Sequence, residues 1–310
     1  MEGYFATEKT PMKAMILAAG FGTRLSPLTD HRPKALVPVG DRPLLDYNVD
    51  YLRRHGAEAV VINAHHKAAQ LEAYVSAKGW GIPVSVRIEE EILGTGGGIR
   101  NTADFWDDEP FIVLNGDILT DIDLRAAYRA HCEAGRLASL VLHACKPYSQ
   151  VAVDAEGTIV DISAAPRPGR LAFTGIHVLD PRLIERIPGP GFADIVACYR
   201  RLIMKGGGVG AFLSTGHRWR DLGSIPEYLA ANRDWVGLRR VFVGPDAQVH
   251  PSVRFEDWAV VGAGAVLEAE AVVGRSVLWE GVSVAAGIEV LDSIVTAGRR
   301  IERPVCGSIR

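Results

Sequence analysis

The sequence is poor in cysteine. Its 310 residues include four, Cys132, Cys145, Cys198 and Cys306, with no Cys-x-x-Cys pair and no tight Cys/His group. That spacing argues against a disulfide framework and a structural zinc site, and it fits a reducing cytoplasm. Long apolar runs are also lacking. The longest near the N-terminus, residues 15–19, is too short for a signal peptide's hydrophobic region or for a membrane span. Positive charge is not in excess: 34 Lys and Arg stand against 37 Asp and Glu, a net charge of -3. Nucleic acid is therefore disfavoured as the main partner. Two phosphate motifs are missing. There is no G-x-x-x-x-G-K-[ST], and Thr23-Arg24-Leu25 follows Gly22 where a dinucleotide fingerprint would continue G-x-x-G.

Hydrophobic residues make up 48% of the chain and charged residues 23%, enough apolar material for a full core. Short apolar runs at 14–18, 60–63, 84–88 and 111–114 read as strands covered on both faces. Amphipathic stretches separate them. In the first, Leu45, Val49 and Leu52 share one helical face and Gly56 follows as a stop. This alternation predicts an α/β domain with a Rossmann-like, mostly parallel sheet over residues 13–238, behind an N-terminal extension of residues 1–12. Ligands of such sheets bind beyond the carboxyl ends of the strands.

After residue 240 the rhythm changes. From Val243 every sixth residue is apolar: Val243, Val249, Phe255, Val261, Leu267, Val273, Trp279, Ala285 and Leu291. A six-residue period maintained through nine units predicts a short left-handed parallel β-helix over 243–310, in which each hexapeptide forms one side of a triangular coil. Its only histidine is His250, so nothing marks it as an acyl-transfer site.

The chemistry-bearing residues begin at the end of the first strand, in Ala18-Ala19-Gly20-Phe21-Gly22-Thr23-Arg24. Gly20 and Gly22 allow positive φ and close approach to a ligand, so that successive N–H groups can face phosphate oxygens. Arg24 adds a fixed-charge fork suited to a polyphosphate. Ten residues on, Lys34 sits in a loop stiffened by Pro33 and Pro38. Two solvated cations beside an ordinary turn would be the plain alternative, but glycines, arginine and proline-locked lysine at this spacing favour a phosphate site.

The segment LAAGFGTRLSPLTDHRPKALVPV resembles the signature of the sugar-1-phosphate nucleotidylyltransferases, and the similarity runs through most of residues 13–232. The resemblance implies a GT-A-like fold and Mg²⁺-dependent attack of a sugar 1-phosphate on the α-phosphorus of a nucleoside triphosphate. An NDP-sugar and pyrophosphate result. It implies that Arg24 holds the triphosphate and Lys34 bridges the α-phosphate and the sugar phosphate. It assigns the metal to Asp117, at the tip of the buried run FIVLNGD, and to Asp221 in Trp-x-Asp-x-Gly. It places Leu17, Ala18, Ala19, Gly20, Gly22, Thr23 and Arg24, with Gly94, Thr95, Gly96, Gly97, Asn115 and Gly116, around the nucleotide. Thr174 and Gly175 would line the sugar pocket through their backbone. A helix is expected right after the glycines of the 94–98 turn, presenting an N-terminus that favours anions.

The loop LGTGG and the run NGDILTDIDL look most like mannose-1-phosphate or heptose-1-phosphate guanylyltransferases, which favours GTP and mannose 1-phosphate as partners and a homo-oligomer without nucleic acid or membrane. The family's Glu-Lys-Pro is absent, with Asp161-Ile162-Ser163-Ala164-Ala165-Pro166-Arg167 in its place. That leaves N-acetylmuramate-1-phosphate uridylyltransferases and glucose-1-phosphate thymidylyl- or uridylyltransferases as alternatives, with Arg167 or Arg170 as substitutes for the lysine. A catalytically silent sensor subunit is disfavoured because Arg24, Lys34, Asp117 and Asp221 are all present. His65 and His66 have no third ligand spaced to join them and read as structural.

Overall fold

A computed structural model describes residues 12–310; apart from Met12, the extension expected over 1–12 lies outside the described residues. The chain divides into two compact units that interleave in sequence. One takes the chain up to Phe21 together with Tyr47–Trp219, and the other takes Gly22–Asp46 with Arg220–Arg310. Among the described residues no helix is long and apolar enough to cross a membrane.

The first unit is built on a nine-stranded sheet. Its central strand, Met12–Leu17, lies parallel between Ala57–Ala64 and Phe111–Asn115, with Leu17 in register with both Asn63 and Asn115. Ala14, Met15, Ile16 and Phe111 through Leu114 are fully buried, because helices cover both faces of a parallel sheet. The strand Val84–Ile88 departs from the expectation of two covered faces. It is the sheet's edge, pairs on one side only with Ala57–Ala64, and is half-exposed. Beyond Phe111–Asn115 the sheet turns antiparallel through Leu171–Leu179. The helix Leu44–Arg54 buries Leu45, Val49 and Leu52 completely, and Gly56 follows at φ 102. Parallel strands end on one side, so the tips after Leu17, Ala64 and Asn115 gather there.

Two histidines are sealed into this unit. His177 contacts the Tyr199 hydroxyl, and burial pushes its pKa down to about 3. His131 lies 2.9 Å from the Ser139 hydroxyl, and burial pushes it down to about 4. Both bind a proton more readily once unfolded. Their contribution to stability is therefore complete above the unfolded value of about 6.5 and declines as pH falls below it. Denaturant midpoints should drop between pH 6.5 and pH 4, and His131→Gln should flatten part of that slope.

The second unit contains the helix Ile225–Val236 and a stack of short strands paired in parallel. Val241 pairs with Ala259 and Gln248 with Val266, each 18 residues apart. Val266 pairs with Ser283 and Val277 with Ile294, each 17 residues apart. The 18-residue spacing equals three six-residue units, and the 17-residue spacing is one residue short of it. The shortening corrects the sequence register. Where Glu256 and Ala259 pair with Gly274 and Ser276 the later strand is one residue shorter, so Val261 stacks on Leu278, Leu267 on Val284 and Val273 on Val290. The inward positions of the later coils are therefore Leu278, Val284 and Val290, and not Trp279, Ala285 and Leu291. All three are fully buried.

This register makes a sharp expectation. Val284→Asp places a carboxylate in the dry interior of the stack and should unfold it or lower stability by several kcal/mol, whereas Ala285→Asp should change it by less than about 1 kcal/mol. Chemical denaturation of the two variants checks this; equal loss would restore the unbroken six-residue register.

Candidate active site

In the first unit, backbone geometry brings several sequence-selected residues together. The Gly116 N–H donates to the Leu17 carbonyl at 2.9 Å, and a Cβ on Gly116 would stand 2.7 Å from that oxygen, so only glycine fits. Asn48 Nδ2 donates to the Gly116 carbonyl at 3.0 Å. Gly175 has φ +79, and a Cβ there would meet Asn115 Nδ2 at 2.6 Å. Leu17, Asn115, Gly116 and Gly175 are thus neighbours at the strand tips, and Asp117 follows, half-buried. Thr174 is turned away. Its hydroxyl donates to the Val141 carbonyl at 2.8 Å, and its own carbonyl accepts from Trp219 Nε1 at 2.8 Å.

Two residues that the sequence did not single out tie this cluster to the glycine loop. The Ala18 N–H donates to Asn63 Oδ1 at 2.8 Å, so this amide is held by the protein. Asn63 Nδ2 donates to Glu89 Oε1 at 2.7 Å, and Glu89 Oε2 accepts the Leu93 N–H at 3.0 Å. Both side chains are buried. Their only sequence signal is a polar residue closing the apolar run 60–63 and the first of three consecutive glutamates. The latter looks like any solvated charge run.

The glycine loop differs from expectation. The helix Gly94–Arg100 contains the glycines instead of following them. Its early amides are engaged, since the N–H groups of Gly96 and Gly97 both donate to the Ala193 carbonyl, at 2.8 and 3.1 Å. Thr95 Oγ1 accepts the Ile195 N–H at 3.0 Å. The glycines serve close packing: a Cβ on Gly97 would lie 2.9 Å from the Gly191 carbonyl, and one on Gly98 would lie 2.6 Å from Asn63 Nδ2. This helix end is thus spent on internal contacts and is not an anion cradle.

The second unit holds Arg24, Lys34 and Asp221, while Asp117 belongs to the first. Gly22 has φ +68; Gly20 does not adopt positive φ and has open space around it. Only one of the two glycines is therefore required conformationally. A Cβ on Gly22 would stand 2.8 Å from Thr29 Cγ2 and 3.3 Å from Lys34 Cβ, so the lysine stem packs on the bare glycine. The Thr29 hydroxyl donates to the Gly22 carbonyl at 3.0 Å. Buried Leu25 and Leu28 anchor the turn and leave Thr23 and Arg24 exposed. A Cβ on Gly223 would lie 2.6 Å from Arg24 Nη1 and 2.8 Å from Asp221 Oδ1. The guanidinium and the carboxylate therefore both lie against a Cα that carries no side chain. Arg24 is 197 residues from Asp221 and 199 from Gly223 in sequence, and only the fold brings it beside them.

The other candidates resolve plainly. His65 Nδ1 bonds the Glu89 carbonyl oxygen at 2.9 Å, and among the described residues no group of three His, Cys, Asp or Glu is placed to hold a metal. Arg170 pairs with Asp161 at 2.5 Å and donates to the Gln150 carbonyl, so its charge is committed within its own loop. Cys132 is exposed.

Gly223→Ala should displace Arg24 or Asp221, because the added methyl falls within 3 Å of both. Turnover should drop about 10-fold or more with an unchanged thermal midpoint. A fully active Gly223→Ala enzyme would show that turnover does not depend on how Gly223 seats these two groups.

Residues 13–236 match the family described as nucleotidyl transferase. Over 92% of its length the chain is 26% identical to a UTP–glucose-1-phosphate uridylyltransferase of Synechocystis sp., covering 87% of that protein. It is 28% identical over 93% of its length to a mannose-1-phosphate guanylyltransferase of Mycobacterium tuberculosis, covering 81% of that protein. It is 32% identical over 69% of its length to an N-acetylmuramate alpha-1-phosphate uridylyltransferase of Neisseria meningitidis serogroup B, covering 94% of that protein. With a family match spanning most of the chain and these relatives at its sides, the protein belongs to the nucleotidyl transferase family, as one of its sugar-1-phosphate nucleotidyltransferases.

Proposed function

We propose that the protein joins GTP and mannose 1-phosphate, releasing pyrophosphate and forming GDP-mannose in a Mg²⁺-dependent reaction in the cytoplasm. The observation that carries this reading is the packing of Arg24 and Asp221 against Gly223, in the same unit as Lys34 packed on Gly22. It sets fixed cations next to a carboxylate, the combination a metal–triphosphate complex needs. A phosphate oxygen of the sugar 1-phosphate attacks the α-phosphorus, and the bond from that phosphorus to the β-phosphate oxygen breaks. The attacking group is already an anion, so no general base is needed. What the protein must supply is cancellation of anion–anion repulsion, the role given to Arg24 on the triphosphate and Lys34 between the two phosphates.

Asp117 and Asp221 are hard oxygen donors and suit Mg²⁺, whose remaining positions substrate phosphates and water would fill; when bound, the ion neutralises charge on the triphosphate. Base recognition is assigned to Gly94 through Gly97 with Leu17, Asn115 and Gly116, and the sugar to the backbone of Gly175 beside Thr174. The C-terminal coils of 17 and 18 residues are read as a left-handed β-helix. Guanine and mannose are favoured by the LGTGG loop and by the similarity to the M. tuberculosis protein through the C-terminal stack. A second reading, UTP with N-acetylmuramate 1-phosphate, is favoured by the missing Glu-Lys-Pro and by the N. meningitidis relative.

Pyrophosphate release over a grid of nucleoside triphosphates and sugar 1-phosphates tests the choice. GTP with mannose 1-phosphate should give the highest kcat/KM; preference for another pair would overturn the substrate assignment. Lys34→Ala should lower kcat by about 10²–10³-fold. Asp117→Asn and EDTA should each abolish turnover, and activity insensitive to the chelator would refute the paired-carboxylate site.

A further inference from the structure

We infer that the C-terminal strand stack positions the lysine-bearing segment 32–38, with Trp279 and Glu280 as positioning residues for the reaction. The inference rests on the reading of Lys34 given above and adds to it a role for the stack.

The two residues sit on a stiff part of the stack. The Trp279 N–H donates to the Val295 carbonyl at 2.9 Å, the Gly281 N–H to the Ala263 carbonyl at 2.8 Å, and the Glu280 carbonyl accepts the Gly298 N–H at 3.0 Å. The coil before comes so close that a Cβ on Gly262 would lie 2.5 Å from the Trp279 carbonyl carbon. Coils on both sides therefore fix the backbone at 279–281. Leu278 takes the inward position, so the Trp279 side chain leaves the coil, yet only 4% of it is exposed.

From this base two grips reach the segment around Lys34. Trp279 Nε1 donates to the Tyr228 hydroxyl at 3.0 Å, and that hydroxyl donates to the Pro38 carbonyl at 2.7 Å. The relay is buried, so each link left unmade would strand a polar group. On the other side of Lys34, the Arg32 guanidinium lies 4.7 Å from the centre of the Trp279 ring and pairs with Glu280. That ion pair is partly exposed and weak by itself; stacked on the indole it fixes direction as well as charge. Between the grips lie only Pro33, with φ −64, then Lys34 and the buried Ala35, Leu36 and Val37. Further along, the Gly40 N–H donates to Asn232 Oδ1 at 2.8 Å, and Gly40 lies so close to the Trp235 ring that a Cβ would overlap it. A cation meant to act on a transferring phosphoryl group has to be held to a fraction of an ångström, and this arrangement supplies a rigid support for it.

The test uses the full chain with Trp279→Phe, which keeps the ring and removes the N–H, and Glu280→Gln, which removes the charge, beside Lys34→Ala. Trp279→Phe and Glu280→Gln should each lower kcat about 10-fold while both substrate KM values stay within about two-fold, at a temperature where circular dichroism matches the wild type. A purely structural role would shift the thermal midpoint and leave kcat per folded molecule unchanged. If Lys34→Ala is crippled while both stack variants turn over at the wild-type rate, positioning by the stack is wrong and the role of Lys34 stands. If Lys34→Ala keeps full turnover, both fail. Glu280 is half-exposed, so its variant remains informative should the indole substitution compromise folding.

Discussion

The repulsion between two phosphate-bearing substrates is the constraint the architecture answers. Two anions must be brought into contact, so positive charge has to be held in place without collapsing onto the protein's own carboxylates. Glycine is the means used here. Gly22 lets the Lys34 stem lie on the backbone, and Gly223 leaves the space that Arg24 and Asp221 both border. A side chain at either position would displace the charge it now seats. The chain's interleaving serves the same end: residues 22–46 pack with residues 220–310, so the cationic segment is built into the body that carries Asp221 and the C-terminal strands.

The first unit contributes a different kind of order. Leu17, Asn115 and Gly116 are neighbours because the strands carrying them are parallel and in register. Gly175 joins them because the antiparallel strand Leu171–Leu179 brings its bare Cα against Asn115. The buried Asn63 and Glu89 then fasten this group to the glycine loop. Within each unit the polar atoms near the site are mostly spoken for. Thr174, Ala18, Gly96, Gly97 and Gly116 all make internal bonds. Arg170, a natural substitute for the missing lysine, is committed to Asp161.

Much of this was legible in the sequence because punctuating residues leave few alternatives. Gly56 after an apolar helical face, Gly22 before Arg24 and Pro33 before Lys34 each specify local geometry by steric rules that act within a few residues. The parallel strands 14–18 and 111–114 were legible for the same reason, as uninterrupted apolar runs. What could not be read depends on contacts distant in sequence. The slip of the strand stack was hidden because Trp279 is as apolar as the inward residue it was mistaken for. The shortened step from Gly274 to Ser276 that causes the slip looks like ordinary sequence. Glu89 lay in a charge run, and the start of the helix at Gly94 was masked by glycines, whose low helix propensity is overridden by packing against residues 191–195. The meeting of Arg24, Asp221 and Gly223 is likewise a product of the whole fold.

Amide hydrogen exchange, with and without Mg²⁺ and GTP, tests the central claim most directly. Nucleotide and metal together should slow exchange in peptides covering residues 20–38 and 219–224, and Arg24→Ala should remove this protection from both segments at once. Protection confined to other parts of the chain, or protection of these two segments that survives loss of the guanidinium, would contradict it.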